Sequence, residues 1–493
     1  MILAVDQGTT GTRSMIVDGE GSPLAVAYRR HRQITPRPGW VEHDPEEIWR
    51  YVATTARAAM RKAGVGPRDI AAIGIANQGE TVVAWDAQTG RPLANAIVWQ
   101  CARTRRSMER LARDRPTARW IRHLTGLVPD CYFSASKLRW LWDHVPQCRT
   151  LARQGRLRMG TLDTWLIYKW SRGRDFVTDC TTASRTLLMD LAKRQWSAEL
   201  LRLFRLSGEW LAPIVDAAGP IGTAVLEGCE VPILASAVDQ QAALFGQCCF
   251  QAGQAKCTFG TGAFLLMHTG AAPVISRHGL LATVAFARRG QPTYALDGGV
   301  YVAGAAVEWL RRVGLAADGA DAARLAASVP DSGGIVFIPA LAGLAAPYWS
   351  RTARGMVLGL STASTRAHVI RAMFEGIALR VFTVAELMAR ESGCALRPAL
   401  RADGGLSQND FLMQFLADML QAPVEVPACH EMTALGVAYM AGLEAGVFPS
   451  QAHLEKLWRC ARRFEPRMSD AERREHIARH RRAIRSLLAW RSE

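Results

Sequence analysis

The chain lacks any uninterrupted apolar run of about 18 residues, the length a membrane-crossing helix requires, so no membrane insertion is expected. Its first residues lack a charged-then-apolar leader, which argues against secretion. Among the 11 cysteines there is no C-x-x-C pair and no regular spacing, which fits reduced thiols better than a disulfide framework or a zinc site. These absences together predict a cytoplasmic chain with reduced thiols. Also missing are the G-x-x-x-x-G-K-[ST] and G-x-G-x-x-G patterns, so neither a P-loop nor a dinucleotide-binding fold fits. No low-complexity segment or long linker appears.

What is present is the profile of a soluble globular protein. The 493 residues are 49% apolar and 21% charged, enough for two or more domains with cores of their own. The formal net charge of +16 is carried almost entirely by arginine. The arginines are spread widely and thicken at the C-terminus, in "CARRFEPRMSDAERREHIARHRRAIRSLLAW". Apolar residues at helical spacing there read as a docked helix with a solvated basic face, the alternative being a patch for an anionic partner. No nucleic-acid-binding module is recognisable, so no nucleic-acid partner is expected.

Along the chain, "MILAVDQGTTGTRSMIVDGEGSPLAVAYRR" reads as strand, Gly/Thr turn, strand, hairpin and strand. A helix over 44–63 follows, with Asp44 as N-cap and Pro45 as its first residue. The stretch "IGIANQGETVVAWD" then places Asn77, Gln78, Gly79 and Glu80 between two apolar strands. That insert is either a hairpin turn or a set of side chains facing a polar ligand. In the second half, "QAKCTFGTGAFLLMHTG" repeats the strand–turn–strand pattern of the opening, and "LRADGGLSQNDFLMQFLADML" runs from strand through glycine turn to helix. The recurrence predicts two related α/β halves around a cleft, divided near 246–253.

Three glycine turns carry the chemistry. Phosphates are held by inward-turned backbone N–H groups and nearby hydroxyls, which favours Gly and Thr. "DQGTTGTR" supplies Thr9, Thr10 and Gly11, closed by the guanidinium of Arg13; "FGTG" is centred on Thr261; "DGGLSQN" leads into a helix. Taken together they point to a nucleotide held between the halves.

With these motifs the chain resembles the FGGY family of carbohydrate kinases, in its glycerol kinase branch, over nearly its whole length. "DQGTTGTR", "PGWVEHDPEEIW", "TGLVPDCYFSASKLRWL", "TDCTTASRTLLMD", "KCTFGTGAFLLMHTG", "GLAAPYWSRTARGMVLGL" and "RADGGLSQNDFLMQFLADML" carry the resemblance. It implies two RNase H-like α/β domains of the actin/hexokinase/Hsp70 type, an N-terminal one over 1–247 and a C-terminal one over 248–493, hinged around an interdomain cleft. It implies transfer of the γ-phosphoryl group of ATP, with Mg2+, to a hydroxyl of glycerol, giving glycerol 3-phosphate. It also implies a dimer or tetramer.

The resemblance assigns roles residue by residue. Asp239 matches the general base that accepts the hydroxyl proton, and Gln240 its neighbour in the substrate site. Read alone, Asp239 is equally a helix N-cap. Glu80 and Tyr132 match hydroxyl-binding residues, and Trp99 and Phe264 the apolar walls. Asp6 matches the metal-coordinating aspartate, acting through water. Thr9, Thr10, Gly11 and Arg13 match phosphate contacts, Thr261 and Gly304 further nucleotide contacts, and Gly405 and Asn409 the adenine end.

Three positions depart from the family pattern. Gly79 stands where the family has an arginine that donates to the acceptor. Either another arginine, such as Arg103, replaces it, or the vacated space admits a longer polyol or a sugar. Glu308 stands in place of a glutamine near the nucleotide. Glu230 occupies a loop position where some bacterial relatives carry an arginine for fructose bisphosphate, so that regulation is not expected.

Overall fold

The computed structural model describes residues 1–490. Strand β1 (Ile2–Gln7) is apolar and almost wholly buried, as suits a central strand covered on both faces. It pairs antiparallel with β2 (Gly11–Val17), which pairs antiparallel with β3 (Pro23–Arg30). On its other side β1 pairs parallel with β4 (Ala72–Asn77), and β4 with β5 (Cys229–Val238). The spatial order is β3-β2-β1-β4-β5.

The second half repeats this order. Strands β6 (Ala255–Phe259), β7 (Ala263–Gly270) and β8 (Gln291–Val300) form the antiparallel meander; β9 (Leu400–Asp403) and β10 (Val424–Pro427) add in parallel beside β6. A single bridge, Ala218 to Arg288, joins the two sheets edge to edge into thirteen strands. The two halves are thus copies of one topology, the RNase H-like arrangement.

Helix α1 (Pro45–Ala63) begins at its Asp44 cap, whose carboxylate accepts the Glu46 N–H, and ends at Gly64 with φ 69°. Ile48, Val52, Ala56, Ala59 and Met60 share one face and pack on Leu3, Val5 and Ile16. Each large aliphatic residue on that face contributes roughly 1.5–3 kcal/mol by leaving water.

The polar insert at 77–80 is not a hairpin. β4 belongs to the large sheet, whereas Val82–Asp86 belongs to a separate four-stranded sheet, so the insert is a passage between sheets.

Helix α2 (Asp239–Gly246) follows β5 directly, with Asp239 as its first residue and Val238 at the cap position. It is clamped by α3 (Met432–Glu444), late in the chain. A Cβ on Gly436 would lie 1.8 Å from the Ala242 carbonyl oxygen, and one on Gly246 2.2 Å from that of Met432. Only glycine permits that approach, which fixes where Asp239 emerges.

The basic tail is a docked helix, α4 (Asp470–Ala489), which buries Ile477, Ala483, Ile484 and Leu487 and leaves most of its arginines outward, Arg473 excepted, which donates to the Met419 carbonyl. Among the described residues no helix is long and apolar enough to cross a membrane.

Candidate active site

In parallel sheets the carboxyl ends of the strands form a crevice that receives ligands. Asp6 is next to last in β1, Asn77 ends β4 and Asp239 follows β5, so the register brings the three together at one edge. In the second half, Thr258 of β6 pairs with Asp403 at the end of β9. Between these edges lies a cavity of about 410 Å³ lined by Asp6, Arg13, Thr258, Asp403, Gly405 and Glu431, among others. Residues from the first turn and from the "DGG" turn therefore face one space.

The electrostatics of that space are unbalanced. Burial, reinforced by the charges of Asp239 and Glu431, raises the Asp6 carboxyl to about 7 against the opposing pull of Arg13. Asp239 keeps part of its surface open to the cleft. Burial nevertheless lifts it to about 6, with Lys256 opposing and Glu80 adding to the rise. Arg13 is shared by two carboxylates, Asp6 at 3.4 Å and Glu431 at 2.9 Å.

An aromatic group spans the two halves. The Trp99 ring lies 5.3 Å from that of Tyr132 and 6.4 Å from that of Phe264 in β7, both edge-on. Glu80 and Tyr132 are held by the fully buried Lys137, whose ammonium donates to the Glu80, Tyr132 and Phe133 carbonyls. Glu80 is itself buried, and its carboxylate is bonded to the Arg185 guanidinium at 2.7 Å. Gln240 accepts a hydrogen bond from Lys256, another fully buried cation, which also donates to Thr258. Asn77 and Gln78 serve the frame: Asn77 donates to Thr182 and to the Ala237 carbonyl, Gln78 to Gln7 and the Gly8 carbonyl. Of the insert, only Glu80 brings a charge toward the aromatic group.

The second glycine turn docks on a helix start. The N–H groups of Ala303, Gly304 and Ala305 donate to carbonyls of Gly260 and Thr261, and a Cβ on Gly304 would sit 2.6 Å from the Gly260 oxygen. Thr10 and Thr261 are exposed on their turns and Thr9 is half-buried, while Gly11 is buried against Tyr28 and Arg29. Asn409 caps the helix Asp410–Leu420, accepting the Leu412 N–H; its buried Nδ2 has no partner among the described residues.

One expectation changes. Arg103 does not replace the missing donor: it is buried between the Trp40 and Trp140 rings, 4.0 and 4.5 Å from their centroids, and is bonded to Glu42 at 2.6 Å. At Gly79 an added Cβ would lie 3.0 Å from Val238 Cγ1, a tight contact at the first side-chain carbon. Glu308 is exposed and bonded to Arg311 at 2.5 Å. Sequence reasoning missed Arg185, Lys137, Lys256 and Asp297. Lys256 and Asp297 carried a signal, each being a lone charge inside an apolar strand, which requires a buried partner.

Twin RNase H-like lobes with carboxylates and glycine turns converging between them define a two-lobed phosphotransferase. The profile of the FGGY family of carbohydrate kinases, N-terminal domain, matches residues 1–246, and that of the C-terminal domain matches 255–445. The chain belongs to this family and is a phosphotransferase with an alcohol group as acceptor. It is 44% identical to glycerol kinase 2 of Thermotoga maritima, over 99% of each chain. With glycerol kinase of Dechloromonas aromatica the identity is 47%, over 99% of this chain and 98% of the other. The crystal structure of Plasmodium falciparum glycerol kinase with ADP superposes with a TM-score of 0.91 at 34% identity, covering 99% of this chain and 98% of that one.

Proposed function

We propose that the chain is an ATP-dependent kinase that phosphorylates a primary hydroxyl of glycerol, giving glycerol 3-phosphate. The observation that carries this reading is the convergence of Asp239 and the Trp99–Tyr132–Phe264 group beside the cavity that Asp6, Arg13 and Gly405 line. Full-length identity of 44–47% to proteins called glycerol kinases supports it.

In this proposal residues 1–247 hold the acceptor and the base, and 248–493 most of the nucleotide. Asp239 accepts the hydroxyl proton as the new P–O bond forms. With its carboxyl near 6, it is mainly ionised at neutral pH yet basic enough to take a proton. Glu80, Tyr132 and Gln240 bind hydroxyls, and Trp99 and Phe264 flank the thin hydrocarbon back. Thr9, Thr10, Gly11, Thr261 and Gly304 surround the phosphates, and Arg13 offsets charge growing on the transferring group. Gly405 and Asn409 lie toward the adenine.

Asp6 fits a magnesium ion. It is a carboxylate raised by burial and then by its acidic neighbours, and relieved by any added positive charge, and magnesium needs only one or two carboxylates beside phosphate oxygens and water. When bound, the ion neutralises charge on the β- and γ-phosphates.

ADP release from the purified protein with Mg-ATP, across a panel of polyols and sugars, tests the proposal. Glycerol-dependent release is the expected result. Release only with longer acceptors, or equal release with none, would overturn it.

A further inference from the structure

The chain lacks the arginine expected at position 79, yet a guanidinium stands at the acceptor end of the site. We propose that Arg185 and Asp297 together recognise the acceptor hydroxyl farthest from Asp239, supplying from another element the donor that Gly79 cannot. The proposal rests on the alcohol-kinase reading above.

Arg185 donates through Nε to Glu80 at 2.7 Å and through Nη1 to Asp297 at 2.7 Å, and all three side chains are at most 8% exposed. The guanidinium lies 5.5 Å from the centroid of the Tyr132 ring, in the acceptor wall. Five N–H groups are available on a guanidinium, and these two bonds use two of them. Nη2 makes no hydrogen bond with the described residues, whereas Asp297 Oδ1 is buried and has no partner either. An unpaired buried carboxylate oxygen is costly, so such atoms mark places meant for a ligand or water.

The strand register fixes where that oxygen faces. In β8, a Cβ on Gly298 would strike Val384 in the core, and one on Gly299 would meet the Phe264 ring at 3.2 Å. Side chains alternate along a strand, so Asp297 shares the Phe264 side of β8. A free N–H donor and a free carboxylate oxygen thus belong to one ion pair, beside Tyr132 and Glu80. A hydroxyl complements both at once, accepting from the guanidinium and donating to the carboxylate. Asp297 comes from the second lobe and Glu80 from the first, so the acceptor's far end is read by both lobes through one arginine.

The test compares glycerol with propane-1,2-diol, which lacks one end hydroxyl. Apparent affinities come from glycerol KM and from diol competition against glycerol turnover, in the wild type, Asp297→Asn and Arg185→Lys. Asp297→Asn keeps the shape of the site and leaves Arg185 paired with Glu80; Arg185→Lys keeps the charge but not the fork. Each variant is expected to weaken glycerol about tenfold or more while changing the diol less than about threefold. Equal weakening of both ligands, or none for glycerol, would overturn the proposal and leave Arg185 a purely structural clamp. A wild type with no glycerol turnover would instead overturn the acceptor assignment itself.

Discussion

The indole Nε1 of Trp99 donates a 2.8 Å hydrogen bond to Oγ1 of Thr9. One partner belongs to the aromatic wall of the acceptor site and the other to the first glycine turn, so the two binding functions share a bond. Trp99→Phe keeps an aromatic wall and removes that bond, whose net worth is about 0.5–1.5 kcal/mol. The expected outcome is a three- to tenfold loss in kcat/KM for ATP and for glycerol alike. Steady-state kinetics with each substrate varied in turn checks it.

Arg13 is held by Glu431 at 2.9 Å, although its proposed task is to meet a phosphate. Both side chains are about three-tenths exposed, so the pair is worth at most about 1 kcal/mol. Glu431→Gln is expected to tighten ATP by no more than about fivefold, with little effect on glycerol KM. Titration of nucleotide binding gives the answer directly.

Asp6 and Asp239 make a pH prediction with a definite sign. Their folded values, about 7 and about 6, lie above the ordinary 3.8 of an unfolded aspartate, because burial penalises the charged form. Folding therefore takes up protons between about pH 4 and 7, and stability is lost as pH rises through that window. Asp6→Asn and Asp239→Asn should melt higher than the wild type at pH 8 and no higher at pH 4. Thermal melts at both pH values, without ligands, read this out.

Gly79→Arg reinstates the family residue but meets Val238 at its first carbon. Overpacking of this kind costs typically 1–3 kcal/mol. We expect a lower melting temperature and no improvement in glycerol KM. The corresponding measurement is a melt paired with a glycerol saturation curve.

Much of this arrangement was legible in the chain. The strands around the polar insert, the Asp44 cap and the recurrent strand–turn–strand units follow from local periodicity and turn chemistry, and each lies where that chemistry puts it. What local pattern cannot convey is which sheet a strand joins. The insert at 77–80 reads equally as a hairpin until Val82–Asp86 is seen to pair with Leu157–Thr161. Charge partners separated by a hundred residues are equally hidden. Arg103 and Arg185 are both arginines of the first lobe. Only tertiary packing sends the first to Glu42 between two indoles and the second to Glu80.

The most direct test of the central claim is phosphoryl transfer by Asp239→Asn under single-turnover conditions, beside its ATP affinity. A carboxylate that accepts the hydroxyl proton predicts glycerol 3-phosphate formation slowed by about 10²–10⁴-fold with ATP binding nearly unchanged. Transfer within a few-fold of the wild-type rate would contradict the account.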